Sequence, residues 1–159
     1  MTSRRLARAS LYAAVYAALT LAPGLSSLAY GQVQFRVSES LLAFACFDAA
    51  AVPGLAVGTA LGNIASPMGI VDVVAGSLLT LAAAALMWRL GPHLSALAMP
   101  VLVNGLGVGA ELALVLHLPF WASVGFVALG ETVVMSTGGL LLLGLGWRYP
   151  AGFGFGKVG

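Results

Sequence analysis

Charge is what this sequence lacks. Only 8% of its 159 residues are Asp, Glu, Lys or Arg, against 60% hydrophobic, and the mean hydropathy is +1.03. A water-soluble domain needs far more charge to stay dispersed, so the composition points to a chain that lives in lipid. Seven Lys and Arg leave a formal net charge of +2, too few and too scattered for a nucleic-acid surface. The lone cysteine, Cys46, excludes an internal disulfide and a cysteine-based zinc cluster, and its apolar run reads as a packed core. Two histidines, His93 and His117, stand at the ends of apolar segments without metal-ligand spacing. Catalytic signatures are missing too: there is no HExxH, no GxSxG and no defensible Ser/Lys or Cys/His pair. The stretch Gly156-Lys157-Val158 is no phosphate loop, because Ala151 stands at the first glycine position and no Ser or Thr follows the lysine. ATP hydrolysis is therefore not expected of this chain, nor is a cofactor or a metal. Arginines before the first apolar run resemble a signal peptide, but apolar segments recur to the end, so the run reads as a first membrane helix.

Apolar length is what is present. Six segments can be drawn, at residues 6–22, 37–51, 52–64, 68–90, 93–116 and 120–147. The third is short against the roughly 20 residues of a crossing helix. Val52-Pro53-Gly54 marks either a tight hairpin between segments two and three or the break in a single span. Loop charges favour six crossings with the N-terminus inside. Arg4, Arg5, Arg8, Arg89, Arg148 and Lys157 then all fall inside and only Arg36 outside. Five crossings would separate Arg148 and Lys157 from Arg4 and Arg5. Trp88, Trp147 and Tyr149 become inner anchors and Trp121 an outer one. The expected fold is an all-α membrane protein, a six-transmembrane-helix bundle with both termini cytoplasmic, multi-pass in the plasma membrane and surrounded by lipid. A single transmembrane domain covers residues 1–150, and a flexible glycine-rich tail covers 151–159.

Small residues form two stripes. Ala9, Ala13 and Ala17 repeat every fourth residue, with Ala14 and Ala18 beside them, and Gly54, Gly58 and Gly62 repeat likewise. Flat faces of this kind let helices approach closely. The glycines read as packing inside the bundle. The alanines read equally as internal packing or as a docking face for another subunit.

All five acids, Glu39, Asp48, Asp72, Glu111 and Glu131, lie in or near apolar spans. A charge at the bilayer centre costs roughly 3 kcal/mol or more, so such residues line a cavity or find partners. In the six-span topology Arg36, Glu39, Asn63, Asp72, Asn104, Glu111 and Glu131 share the outer half, and Asp48 alone lies on the inner side. Asn104 and Glu111 are seven apart, two turns along one helix face. Residues from several segments thus suggest a small-molecule pocket open to the outside. The plainer readings are an Arg36–Glu39 pair and helix capping by Asn63 and Asp72. Asn104 has a plain reading as well, a bond to a neighbouring backbone. Glu111 and Glu131 have no basic neighbour in sequence and are the strongest candidates for ligand contact.

Specific strings carry a resemblance. Tyr30-Gly31-Gln32-Val33-Gln34-Phe35-Arg36-Val37-Ser38-Glu39 is followed by Ala51-Val52-Pro53-Gly54-Leu55 and Leu61-Gly62-Asn63. Val71-Asp72-Val73-Val74-Ala75-Gly76-Ser77, Thr80-Leu81, Val101-Leu102-Val103-Asn104-Gly105, Gly109-Ala110-Glu111-Leu112 and Gly130-Glu131 continue the order. The set resembles the QueT family of membrane proteins and departs from it at Ala75 and in the tail. The resemblance implies a substrate-binding S component of an energy-coupling factor (ECF) transporter with six membrane helices. Its partners would be one transmembrane T subunit and two ATPases, docked through an AxxxA motif that Ala9, Ala13 and Ala17, or Ala14 and Ala18, match. The implied ligand is a queuosine precursor, a 7-deazapurine. The residues suit it: a carboxylate accepts the two adjacent donors of a deazaguanine edge, and an asparagine amide complements the neighbouring carbonyl. Glu111 or Glu131 would take the edge and the other the amine of an aminomethyl precursor, with Asn104 beside them and Phe35 or Phe47 stacking on the base. Closure of residues 26–34 over the ligand is expected. The other readings are an S component for another vitamin or a metal, a stand-alone proton-coupled carrier, and a small membrane enzyme.

Overall fold

Runs of Leu, Ala and Val without strand-like alternation build helices, and in the computed structural model, which describes residues 2–29 and 34–149, every regular element is helical. In order they are α1 (Ser3–Leu21), α2 (Leu25–Ala29), a 3-10 helix (Val37–Cys46), α3 (Ala51–Asn63) and α4 (Ile70–Leu90). A short 3-10 turn (Leu94–Leu97) then leads into α5 (Ala98–Val115), and α6 (Phe120–Val134) runs through a π-turn (Met135–Gly139) into α7 (Leu140–Arg148). Three of these stretches, Ile70–Leu90, Leu94–Val115 and Phe120–Arg148, are long and apolar enough to cross a membrane. The tail 151–159 and residues 30–33, which belong to the first motif and to the expected closing loop, lie outside the described residues.

Burial is inverted relative to a soluble protein. Arg36, Glu39, Asp48, Asp72, Asn104, Glu111 and Glu131 are buried, while Leu114 and Trp121 are 78% and 76% exposed. An apolar exterior around a polar interior is stable in lipid and not in water.

The glycine stripe sits in α3 and packs against α1. A Cβ on Gly54 would come within 2.5 Å of the Ala9 carbonyl oxygen, and one on Gly58 within 2.9 Å of the Ala13 carbonyl oxygen. One on Gly62 would lie 3.0 Å from Thr20 Cγ2. Ala9, Ala13 and Ala17 are accordingly buried, whereas Ala14 and Ala18 are exposed on the other side of α1.

The 3-10 helix runs through the middle of the bundle and is buried along nearly its whole length. Its ten residues rise about 20 Å, where an α-helix of that length would rise about 15 Å. The extended winding is how so short a segment traverses the interior. Between it and α3 the break falls at residues 47–50, not at Val52-Pro53-Gly54. The Asp48 carboxylate accepts the Ala50 N–H at 2.8 Å and turns the chain. Pro53 belongs to the first turn of α3, where its missing N–H has no partner to lose. The polar stretch 26–34 also differs from a plain loop, since its start is helical in α2.

Contacts gather both described chain ends at one end of the bundle. Arg8 pairs with Asp48, Gly146 lies against the Phe47 ring, and Trp147 Nε1 donates to the Pro92 carbonyl at 2.9 Å.

Gly58→Ala is expected to lower the thermal unfolding midpoint in detergent, because overpacking of this kind costs about 1–3 kcal/mol. Gly125→Ala, where a Cβ meets nothing within 4 Å, should leave the midpoint unchanged or slightly higher.

Candidate functional site

A polar network begins on α1. Arg8, Tyr12, Tyr16 and Thr20 recur every fourth residue and so share one face. Arg8 forms an ion pair with Asp48, and Tyr12 donates to the same carboxylate at 3.2 Å. Tyr16 donates its hydroxyl to Glu39 Oε1, and Thr20 Oγ1 lies 2.7 Å from Ser38 Oγ. This seam ties α1 to the central 3-10 helix along its length. None of these partners was singled out from the sequence apart from Asp48 and Glu39. The four-residue repeat of hydrogen-bonding side chains in an otherwise alanine-rich helix was the signal available.

From Glu39 the network crosses the bundle. Asn104 Nδ2, on α5, lies 3.4 Å from Glu39 Oε2 and donates to Glu131 Oε1, on α6, at 2.8 Å. Three elements thus bring Glu39, Asn104 and Glu131 together.

A second group forms where α3 ends and α4 begins. Asn63 Nδ2 donates to Asp72 Oδ1 at 2.9 Å and to the Asp72 carbonyl at 2.8 Å. Asn63 and Asp72 therefore bind each other, and the first turn of α4 has no side-chain cap. Arg36 Nη2 lies 3.9 Å from Asp72 Oδ2. Gly76, one turn along α4, clears the space: a Cβ there would sit 2.5 Å from Asn63 Nδ2. Asp72 and Arg36 are also the charges that bear on Glu111 of α5.

Acceptors outnumber donors in this interior. Among the described residues, Asn63 Oδ1, both oxygens of Glu111 and Glu131 Oε2 are buried without a hydrogen-bond donor. Natural interiors leave few such atoms, and each marks either a cost or a missing partner. The chain passes directly over the site: the Gln34 carbonyl occupies the place a Cβ on Gly130 would fill, next to Glu131. A cavity of about 280 Å³ shares Gln34 with this crossing, and its lining includes Ser66, Met68, Leu112, Ser123 and Phe126 but none of the buried acids.

Two expectations shift. Phe47 stacks at the far end, against Gly146, because eight residues of 3-10 rise carry it about 16 Å from Glu39. The face bearing Ala9 and Ala13 is taken by α3, which leaves Ala14 and Ala18 as the pair open on α1.

Tyr16→Phe keeps the ring and removes the donor, leaving a buried carboxylate oxygen short of a bond. A loss of about 1–3 kcal/mol in unfolding free energy is expected. The check is a double-mutant cycle with Glu39→Gln, in which the double variant should lose less than the sum of the singles.

The sequence pattern of the QueT transporter family matches residues 6–146. The queuosine precursor transporter QueT of Lactococcus lactis subsp. cremoris (strain MG1363) is 31% identical over 153 residues, covering 87% of this chain and 90% of that relative. No solved structure matches the chain. With nearly its whole length matched, from the first turns of α1 to the end of α7, this chain belongs to the QueT transporter family.

Proposed function

We propose that this chain is the substrate-binding S component of an energy-coupling factor importer and takes up a queuosine precursor, a 7-deazaguanine base. The observation that supports the reading is the surplus of buried acceptors: Glu111, Glu131 and Asn63 offer oxygens that no donor among the described residues meets. A deazaguanine supplies an N–H and an amino group on its pairing edge, and an aminomethyl arm adds a cation. Four buried acids, Glu39, Asp72, Glu111 and Glu131, stand against one guanidinium, Arg36, which favours a donor-rich or cationic ligand.

Six crossings with both termini in the cytoplasm fit the meeting of Arg8, Asp48, Pro92 and Trp147 at one end, with Arg4, Arg5, Arg8, Arg89 and Arg148 on that side and Arg36 on the other. The candidate site then lies toward the outer face of the plasma membrane. Energy would come from two ATPases through a T subunit, since the sequence holds no phosphate loop. Docking would use Ala14 and Ala18, the exposed small pair on α1.

Ligand that binds only the folded state raises the melting point by mass action. A panel of aminomethyl- and cyano-deazaguanine, guanine, riboflavin, thiamine, biotin and cobalt on the detergent-purified chain should give a shift with a deazaguanine, reduced in Glu131→Gln. A shift with a vitamin alone would keep the S-component reading and discard the substrate. Uptake that persists in cells without the ATPases would replace the ECF reading with a self-sufficient carrier.

Ala14→Trp should abolish co-purification of the T subunit while keeping the ligand-induced shift. Ala13→Trp should instead lower the melting point itself, because Ala13 packs on Gly58. Association that survives Ala14→Trp would put the docking face elsewhere.

A further inference from the structure

We infer that the two ends of the candidate site do different work: Glu131, held in place by Asn104, reads the pairing edge of the base, and Glu111 reads the substituent at position 7, setting the choice among precursors. The inference rests on the deazaguanine reading above and assigns its parts.

The polar groups fall into two unlike sets. At one, the Asn104 amide donates to Glu131 Oε1 and faces Glu39 Oε2, so both its N–H bonds are used, and among the described residues Glu131 Oε2 remains without a donor. A carboxylate oxygen held in place in this way suits the N–H and amino donors of a guanine-type edge. At the other, Glu111 is 5% exposed and, among the described residues, neither of its oxygens has a donor and no amide bonds to it. Two bare oxygens of one carboxylate suit an ammonium group, which carries three donors and the opposite charge.

Between the two lies an apolar patch. Val108 stands on α5 between Asn104 and Glu111, and it packs with Val127, one turn before Glu131 on α6, and with Met68 and Leu112. Polar ends around an apolar middle match a flat bicyclic base that is polar at its edge and at its arm. The spacing agrees as well. Seven residues of α5 rise about 10 Å, close to the length of a bicyclic base with a one-carbon arm and a hydrogen bond at each end.

The test is a set of dissociation constants for 7-aminomethyl-7-deazaguanine and for 7-deazaguanine, which has no arm, measured by calorimetric titration of the full detergent-purified chain. Wild type should prefer the armed compound by about tenfold or more, the usual scale of one charge-assisted contact. Glu111→Gln should bring that ratio close to one, and Glu111→Asp, which keeps the charge on a shorter stem, should retain part of it and show that the fold tolerates change there. Glu131→Gln should weaken both compounds in proportion and preserve the ratio. A ratio that survives Glu111→Gln, or that collapses in Glu131→Gln alone, overturns the assignment while leaving the substrate class standing. A wild-type chain that binds neither compound overturns the substrate class and the assignment with it.

Discussion

The two oxygens of Glu39 join the helices of this bundle at its centre: Oε1 takes the Tyr16 hydroxyl from α1, and Oε2 faces the Asn104 amide of α5, which also holds Glu131 of α6. A carboxylate fully buried in an apolar medium is stable only when donors surround it. Those donors come from other helices, so Glu39 fixes where α1 and α5 sit relative to the 3-10 helix. The same demand explains the rest of the α1 seam. Arg8 and Tyr12 serve Asp48 at one end, and Thr20 meets Ser38 at the other. A helix whose interior face is otherwise alanine thus gains a defined rotation and register from a few polar contacts, in surroundings where apolar packing alone discriminates weakly.

Glycine makes that geometry attainable in two ways. In α3 and α5 it lets backbones close on one another: Gly58 meets α1 at Ala13 and Tyr16, and Gly105 and Gly109 meet Ala128 and Val124 of α6. At Gly76 and Gly130 it clears room beside functional groups, for the Asn63–Asp72 pair in one case and for the Gln34 backbone in the other. The π-turn adds a local widening. Gly138 within it accommodates Ser40 of the central helix, whose Cβ stands 2.8 Å from where a Cβ on that glycine would lie. Wide turns of this kind commonly occur near functional groups, and this one begins four residues after Glu131.

Helical segments and the set of buried polar residues were legible in the sequence because lipid solvation leaves a strong compositional trace: apolar runs, with a handful of charges that have nowhere to go but inward. Asn104 and Glu111 were placed on one face by helical spacing alone, and Val108, between them on that face, packs with Val127 of α6 as the apolar middle of the site. Partner identities were less legible, because they depend on which helices touch. Arg36 and Glu39 do act on each other, as their spacing of three suggests, but spacing gives no sign that Asp72, contributed by α4, also lies within ion-pair distance of Arg36. Asn63 stands at a helix end, where capping is the ordinary role, but its amide turns to Asp72 across the loop. The break before α3 was misread because Pro53 suggested a helix terminus, whereas a proline in the first helical turn disrupts nothing. The 3-10 winding leaves no periodic trace, since in a segment buried on nearly every side Ser38, Glu39 and Ser40 are as hidden as Leu42 and Ala43, and no polar face alternates with an apolar one.

The chemistry of the site bears on how transport must be powered. If a deazaguanine supplies the donors that Glu111 and Glu131 lack, each satisfied oxygen contributes about 1–3 kcal/mol relative to the empty interior. The ligand and the bundle then stabilise each other, and the closed, loaded form is the lowest state on the path. Such a form holds its ligand well and releases it poorly. Release requires work that separates the groups again, and in the proposed reading that work comes from partner ATPases, the sequence having no phosphate-loop motif. The polar connection running from the site to an outward face is α1, whose Tyr16 holds Glu39 while Ala14 and Ala18 stand exposed on the opposite side. A partner that grips that face and rotates or shifts α1 pulls on Glu39, and through Asn104 on Glu131. Under the proposed function, tight capture and powered release meet in one arrangement: a binding subunit with an interior short of donors among its described residues, coupled through α1 to a partner on other chains.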